Sequence, residues 1–401
     1  MKQLVFVSLE NWDDVWRRNQ FVCSEWIRRG ERRILFVGLP RNVSYAVRKG
    51  RWAECFQRAT YTVAGNSSIT ITHPLKLLPD TLSIGRWINQ WMFRRHVRRV
   101  ANRLGFDQPV LWLNPHYAVH MAGKMRESAL VYDITDDWSE LSQSARRRRL
   151  TISQDADLCR RADAVIVCSE KLKELKEPLA PGKVHLVPNG VDCSHYASVT
   201  EASALRIRRW KSPVLGYTGT LHPDRIDVDL LVRVADAFRD AMIVLIGPNF
   251  LSPADLNRLE QRSNVVIHPS VAYSELPKYM QDFDVCIVPH RVTPFTESLN
   301  PIKLWEYLAA GKAIVSTNVA GFRDFPDVVH IARNAGEFIT AAQRALSEGD
   351  KLAEARKQIA KEHSWSKRVS QIEKIIAEVV HVKTAGRTDV ASGQIFVGDQ
   401  C

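Results

Sequence analysis

Apolar residues in this 401-residue chain gather into short continuous runs separated by polar turns. Runs at residues 4–8, 33–37, 109–113, 129–133 and 162–170 are rich in Val, Ile, Leu and aromatics. Their length and continuity predict strands buried on both faces of a sheet. Polar residues from Asn11 begin a predicted helix that reaches Arg28 and stops before Gly30. Strand, helix and strand in that order imply right-handed crossovers and a parallel sheet. Residues 40–84 carry no clear period apart from a strand near 68–72.

The pattern restarts at Val214. Strands are predicted at 214–220, 243–248, 265–267 and 284–289, with a helix over 228–238. Residues 302–310 read as a helix, 313–317 as a strand, and 335–345 and 364–382 as closing helices. The expected division is a first domain at 1–193, a linker at 194–212, a second domain at 213–363, a last helix at 364–383 and a mobile tail at 384–401.

Composition narrows the class. Hydrophobic content of 45% and charge of 25% are ordinary globular values. Seven scattered cysteines form no CxxC pair, which fits reduced thiols in the cytoplasm better than a disulfide framework or zinc site. No 18-residue apolar run is present, and the first residues do not read as a secretory signal. The net charge of +12 is uneven: residues 1–200 hold 31 Lys and Arg against 20 Asp and Glu, residues 201–401 hold 25 against 24.

The most informative stretch is 296–318, TESLNPIKLWEYLAAGKAIVSTN. Asn300 is the expected N-cap, Pro301 suits the first helical position, and Gly311 suits a left-handed C-terminal residue. A helix opening in a polar loop favours an anion at its free amides. Lys303 lies one turn inside, and Glu306 shares its face. This arrangement suits a nucleoside diphosphate whose ribose hydroxyls donate to the carboxylate. An ordinary capped helix with a surface Lys–Glu pair explains the same residues. In the strand–turn–helix at 214–238, Gly219 permits close backbone approach and Arg225 supplies a fixed positive charge. Asp227 and Asp229 are read as helix capping, not as metal ligands.

Asn300-Pro301-Ile302-Lys303, with Glu306 and the following Tyr307–Lys312 segment, resembles the donor-nucleotide motif of the family 4 (retaining) glycosyltransferases. The Pro188-Asn189-Gly190-Val191-Asp192 turn is similar to that family's interdomain loop, and 214–238 to its diphosphate loop, with Thr220 where Arg is more usual. The resemblance implies the GT-B fold: two facing Rossmann-like α/β domains with parallel sheets and a last helix that returns to the first. It implies a nucleoside-diphosphate-sugar donor, metal independence and no bound cofactor. Glu306 would hold the ribose; Lys303, Arg225, Gly219, Thr220, Gly247 and the Leu299 and Asn300 amides would serve the diphosphate. The family's sugar-facing Glu stands eight residues before the ribose Glu. That position is Ser298 here, with Glu297 one place early.

In the first domain, Asp136 or Asp137 follows a predicted strand and is a candidate for an acceptor hydroxyl or the donor sugar, or for a helix cap. Trp12, Arg17, Arg18 and Asn19 are acceptor-side candidates, or core and solvated residues. The segment 85–104 sets Trp87, Trp91 and Phe93 beside Arg94, Arg95, Arg98 and Arg99. It suits an anionic membrane surface, or a core helix with a solvated basic face. A saccharide or lipid-linked acceptor, in cell-surface polysaccharide or glycolipid synthesis at the cytoplasmic membrane face, follows from this reading. The alternatives are a sugar-nucleotide 2-epimerase of the same fold, a silent nucleotide-binding protein, or a nucleic-acid binder. No nucleic-acid module is recognisable, which disfavours the last.

Overall fold

The computed structural model describes residues 3–13, 15–30, 32–50, 59–63, 67–80, 83–200 and 208–392, without the side chains of 200 and 386–392. The chain divides into two units: Met1–Thr135, Gln143–Val187 and Val369–Cys401 form one, and Asp136–Ser142 with Pro188–Arg368 forms the other.

The first unit is built on β1 (Gln3–Val7), β2 (Arg33–Val37), β4 (Thr60–Thr62), β5 (Ile69–Thr72), β7 (Val110–Leu113), β8 (Ala129–Ile134), β9 (Ala164–Val167) and β10 (Val184–Leu186). They lie in the order β10-β9-β8-β7-β1-β2-β5-β4. Every neighbouring pair is parallel except β4 with β5. Central β1 is buried along Leu4–Val7, with Phe6 stacked between Phe36 and Trp112 at centroid separations of 5.6 and 5.5 Å. Each buried apolar side chain of this size contributes roughly 1.5–3 kcal/mol. A second, two-stranded pair joins β3 (Arg41–Asn42) to β6 (Leu75–Lys76) within the stretch where the sequence showed no period.

The second unit holds β11 (Val214–Thr218), β12 (Met242–Ile246), β13 (Val265–His268), β14 (Val285–Val288), β15 (Ala313–Thr317) and β16 (His330–Ala332) in the order β13-β12-β11-β14-β15-β16. All five pairings are parallel. Asp227 caps the helix Val228–Ala237 by accepting the Leu230 N–H at 3.0 Å, as the sequence predicted.

Three boundaries differ from expectation. The first helix runs Arg18–Arg28, because the Gln20 side chain accepts the Arg17 N–H at 3.1 Å and fixes the first turn there. Residues 194–200, expected within a linker, continue a helix Cys193–Tyr196 and form a 3-10 turn, with Tyr196 and Val199 buried in the second unit. The final helix runs Trp365–Ser392, past the point where a mobile tail was expected. The rest of that expected tail, 393–401, and linker residues 201–207 lie outside the described residues. From Val369 this helix belongs to the first unit, where Glu373 pairs with Arg29 (2.9 Å) and Arg32 (3.3 Å) and Lys383 with Asp163 (2.7 Å).

Candidate active site

The helix Ile302–Ala309 is amphipathic, burying Leu304, Trp305, Tyr307 and Leu308. Tyr307 Oη accepts the Thr218 N–H at 2.8 Å, which fastens the helix to the end of β11. Gly311 takes φ +70° just beyond it, the left-handed residue the sequence called for. The start differs from expectation. Asn300 is not the N-cap; Pro301 holds that position, and the Asn300 side chain is used elsewhere. Its Oδ1 accepts the Asn189 N–H (2.8 Å) and the Trp305 Nε1–H (3.2 Å), and Asn189 Nδ2 donates to its carbonyl (2.5 Å). A loop 111 residues earlier thus fixes where the helix begins.

Two glycines open the ends of adjacent strands. Gly219 (φ +150°) follows β11 and Gly247 (φ +147°) follows β12. A Cβ on Gly219 would overlap the Lys303 side chain and lie 2.9 Å from its Nζ; a Cβ on Gly247 would run into the Gly219 carbonyl. The bare Gly219 lets the Lys303 ammonium rest directly over the strand-end backbone, and the bare Gly247 lets the two strand ends approach closely. Gly219 N–H donates to Ile246 O at 2.7 Å, and Tyr217 Oη donates to Thr220 O at 3.4 Å.

His290 completes this corner. It follows β14, is buried, and contacts Tyr217 Oη through Nε2 at 3.2 Å. Burial first, then the charges of Arg225 and Lys303, push its pKa down to about 3, so the ring is neutral at physiological pH. Two cations and a neutral imidazole meet at this edge. Arg225 packs over the Phe295 ring at 5.1 Å and donates to Asp136 Oδ1 at 3.2 Å. That carboxylate sits on the segment Asp136–Ser142, which belongs to this second unit although its sequence neighbours belong to the first.

Glu306 is buried at 5% exposure. Burial, and after it the Glu306 charge, raises the pKa of Tyr196 and Tyr273. Tyr273 stacks on His195 at 4.0 Å between centroids. An acceptor-only carboxylate here, one turn from Lys303, is set to receive hydroxyl donors.

The sugar-facing candidates are committed within the protein. Glu297 forms an ion pair with Arg323. Ser298 is fully buried; its hydroxyl donates to Phe295 O (2.7 Å) and accepts the Asp137 N–H (3.3 Å), tying the Asp136–Ser142 segment to the helix Pro294–Glu297. Leu299 N–H turns back to Thr296 O at 3.4 Å, which engages one of the two amides expected to meet phosphate. Asp137 Oδ1 accepts from Ser139 N–H and Oγ–H.

In the first unit the acceptor-side candidates separate. Trp12 is core, edge-on to Phe36 at 5.3 Å. Arg18 is 2% exposed and donates to both oxygens of Asp133, and Asn19 Nδ2 donates to Ser8 Oγ and Asn114 Oδ1. Arg17 alone of the four is solvent-facing, pairing with Glu10 at 3.4 Å. The sequence reading did not single out His290, Tyr217 or Tyr196. His290 carried a usable signal: a polar residue directly after a buried strand and proline, at the edge where parallel sheets bind ligands.

Residues 212–348 match the family described as Glycosyl transferases group 1. A Bacillus subtilis (strain 168) protein named as a teichuronic acid biosynthesis glycosyltransferase, TuaH, is 29% identical over 262 residues, 61% of this chain and just under two thirds (66%) of that protein. Sucrose-phosphate synthase from Thermosynechococcus elongatus superposes with a TM-score of 0.69 at 13% identity, covering 95% of this chain and 100% of that one. Anabaena HepE in complex with UDP superposes with a TM-score of 0.64 at 15% identity, covering 94% and 100%. At such identities the structural likeness carries the fold, which is GT-B.

Proposed function

We propose that the chain is a group 1 glycosyltransferase, the family that residues 212–348 match, and that it transfers a sugar from a nucleoside diphosphate with retention of configuration. The carrying observation is the Lys303 ammonium laid over Gly219 at the end of β11, with Arg225 and a neutral His290 at the same corner. The C1–O bond to the β-phosphate breaks, the acceptor oxygen bonds C1 on the same face, and the acceptor proton passes to the departing phosphate oxygen. Negative charge then grows on the diphosphate, where fixed cations lower the barrier. Glu306 accepts the ribose hydroxyls. The UDP and UDP-glucose complexes of Anabaena HepE support a nucleotide-sugar donor. TuaH's name supports an acceptor in cell-surface polysaccharide synthesis; a place at the cytoplasmic membrane face is part of the same reading.

Titration calorimetry with UDP, GDP and ADP tests the reading. One should bind selectively, and Lys303→Ala should weaken it by about 1.5–3 kcal/mol, the value of a charge-assisted contact. Because side-chain cations supply the charge, excess EDTA should leave turnover unchanged. Unaltered affinity in Lys303→Ala would remove this corner from the donor site.

A further inference from the structure

The helix Ser83–Arg103 buries Phe93, Val97, Val100 and Ala101 in the first unit. Its opposite side keeps Ile84, Trp87 and Trp91 at 67%, 62% and 47% exposure. Spacings of three and four residues set them in one row. The row does not stand alone. This helix and the short helix Val43–Arg48 both pack against β6, and they bring further exposed apolar side chains: Leu77 directly after β6, and Tyr45 and Val47 on the short helix. Single exposed apolar residues need no explanation, but a row of large ones along one helix face, with further ones on neighbouring elements, marks an interaction surface.

Charge identifies the occupant. Residues 39–103 hold twelve Lys and Arg against two Asp and Glu, a net +10 within a chain of net +12. One of those two acids, Asp80, is already engaged by Lys76 and by Asn89 Nδ2 at 2.9 Å. Arg95 lies over the Trp91 ring at 5.5 Å and Arg48 over Tyr45 at 5.8 Å, so cation and aromatic sit side by side. No described helix is long and apolar enough to cross a membrane.

We propose that this face docks on an anionic lipid bilayer, with Ile84, Trp87 and Trp91 entering the headgroup boundary and the flanking arginines meeting lipid phosphates. A second copy of the chain fits poorly, since it would set two strongly positive faces against each other. A nucleic-acid backbone would satisfy the arginines but leave the apolar row in water. The proposal sharpens the membrane location given above and stands on the first unit alone.

Flotation of the full chain with phosphatidylcholine vesicles, with and without phosphatidylglycerol, tests it. The protein should float only with the anionic vesicles, and less as salt rises. Arg95→Gln/Arg98→Gln/Arg99→Gln should weaken binding roughly a hundredfold, from about one kcal/mol per basic residue near the surface. Trp87→Ser/Trp91→Ser should weaken it at least about tenfold. Both variants alter exposed positions and should keep wild-type nucleotide affinity. The proposal is overturned by absence of flotation, by flotation indifferent to phosphatidylglycerol, or by tryptophan variants that bind as wild type. It is also overturned if the tryptophans instead drive concentration-dependent self-association, or if the arginines serve RNA with no vesicle binding. Loss of nucleotide binding in Lys303→Ala alongside intact flotation would separate the two readings.

Discussion

At the end of β8 in the first unit, Asp133 (0% exposed) meets Arg18 (2% exposed), and both carboxylate oxygens are taken. At the end of β11 in the second unit, Lys303 lies over a bare glycine, and the nearby Arg225 side chain stays 32% exposed against a single carboxylate oxygen. Both edges are C-terminal ends of parallel strands, and both carry a cation. The first is closed: removed from water together, its charges are spent on each other. The second leaves Arg225 partly within reach of solvent, and burial and charge hold His290 neutral beside it. Being at the ligand-binding edge of a sheet therefore does not make a cation functional. What matters is whether the fold has sealed it from solvent.

The strongest way to break this contrast is to open the closed edge. Arg18→Ala leaves the Asp133 carboxylate buried without its guanidinium, and should destabilise the protein by about 3–5 kcal/mol. Replacing both partners with apolar residues of similar size should recover most of that loss. Lys303→Ala, in the same urea titration, should shift stability by no more than about 0.5 kcal/mol. Comparable losses from Arg18→Ala and Lys303→Ala would erase the distinction.

A second test uses acid. His290 has a folded pKa of about 3 against 6.5 for an ordinary histidine, so the unfolded chain binds a proton that the folded one does not. Its contribution to stability is fully present above pH 6.5 and is lost as pH falls toward 3, with a slope of about 1.4 kcal/mol per pH unit. His116, lowered to about 4, and His120, lowered to about 3, add slopes of the same sign in the first unit, mainly through burial. His290→Gln should remove one proton's worth of slope. An unchanged acid limb of the unfolding curve would contradict its burial as a neutral ring.

Much of this was legible in the sequence because it is local. Continuous apolar runs became the parallel strands, Gly311 took the left-handed position, and Asp227 became a cap. The errors share one cause, a partner distant in sequence. Asn300 looked like an N-cap because its neighbours permit it, but Asn189 claims its side chain from 111 residues away. Arg18 looked solvent-facing because Asp133 lies 115 residues on. For Ser298 and Glu297, the two candidates for the sugar, local spacing likewise did not reveal their partners, Asp137 and Arg323. Nor does any linear pattern signal that Asp136–Ser142 would join the second unit.

The last predicted effect on binding is small and has the opposite sign from the losses above. Asp136 holds Arg225 at 3.2 Å, with side chains 15% and 32% exposed, so the pair is partly solvated and worth no more than about 1 kcal/mol. A diphosphate approaching Arg225 competes with that carboxylate for the same guanidinium. Asp136→Asn removes the competitor and its negative charge but leaves an amide of nearly the same shape. Nucleoside diphosphate affinity should therefore rise by a few-fold, up to about 1 kcal/mol, where Arg18→Ala costs several. Turnover separates two roles for Asp136. If it only restrains Arg225, kcat at saturating donor stays within about twofold of wild type; if it also positions the acceptor or donor sugar, kcat falls while diphosphate binding tightens. A variant that binds diphosphate more weakly would mean that Asp136 supports Arg225 in its binding pose, and that this edge too is held by internal compensation.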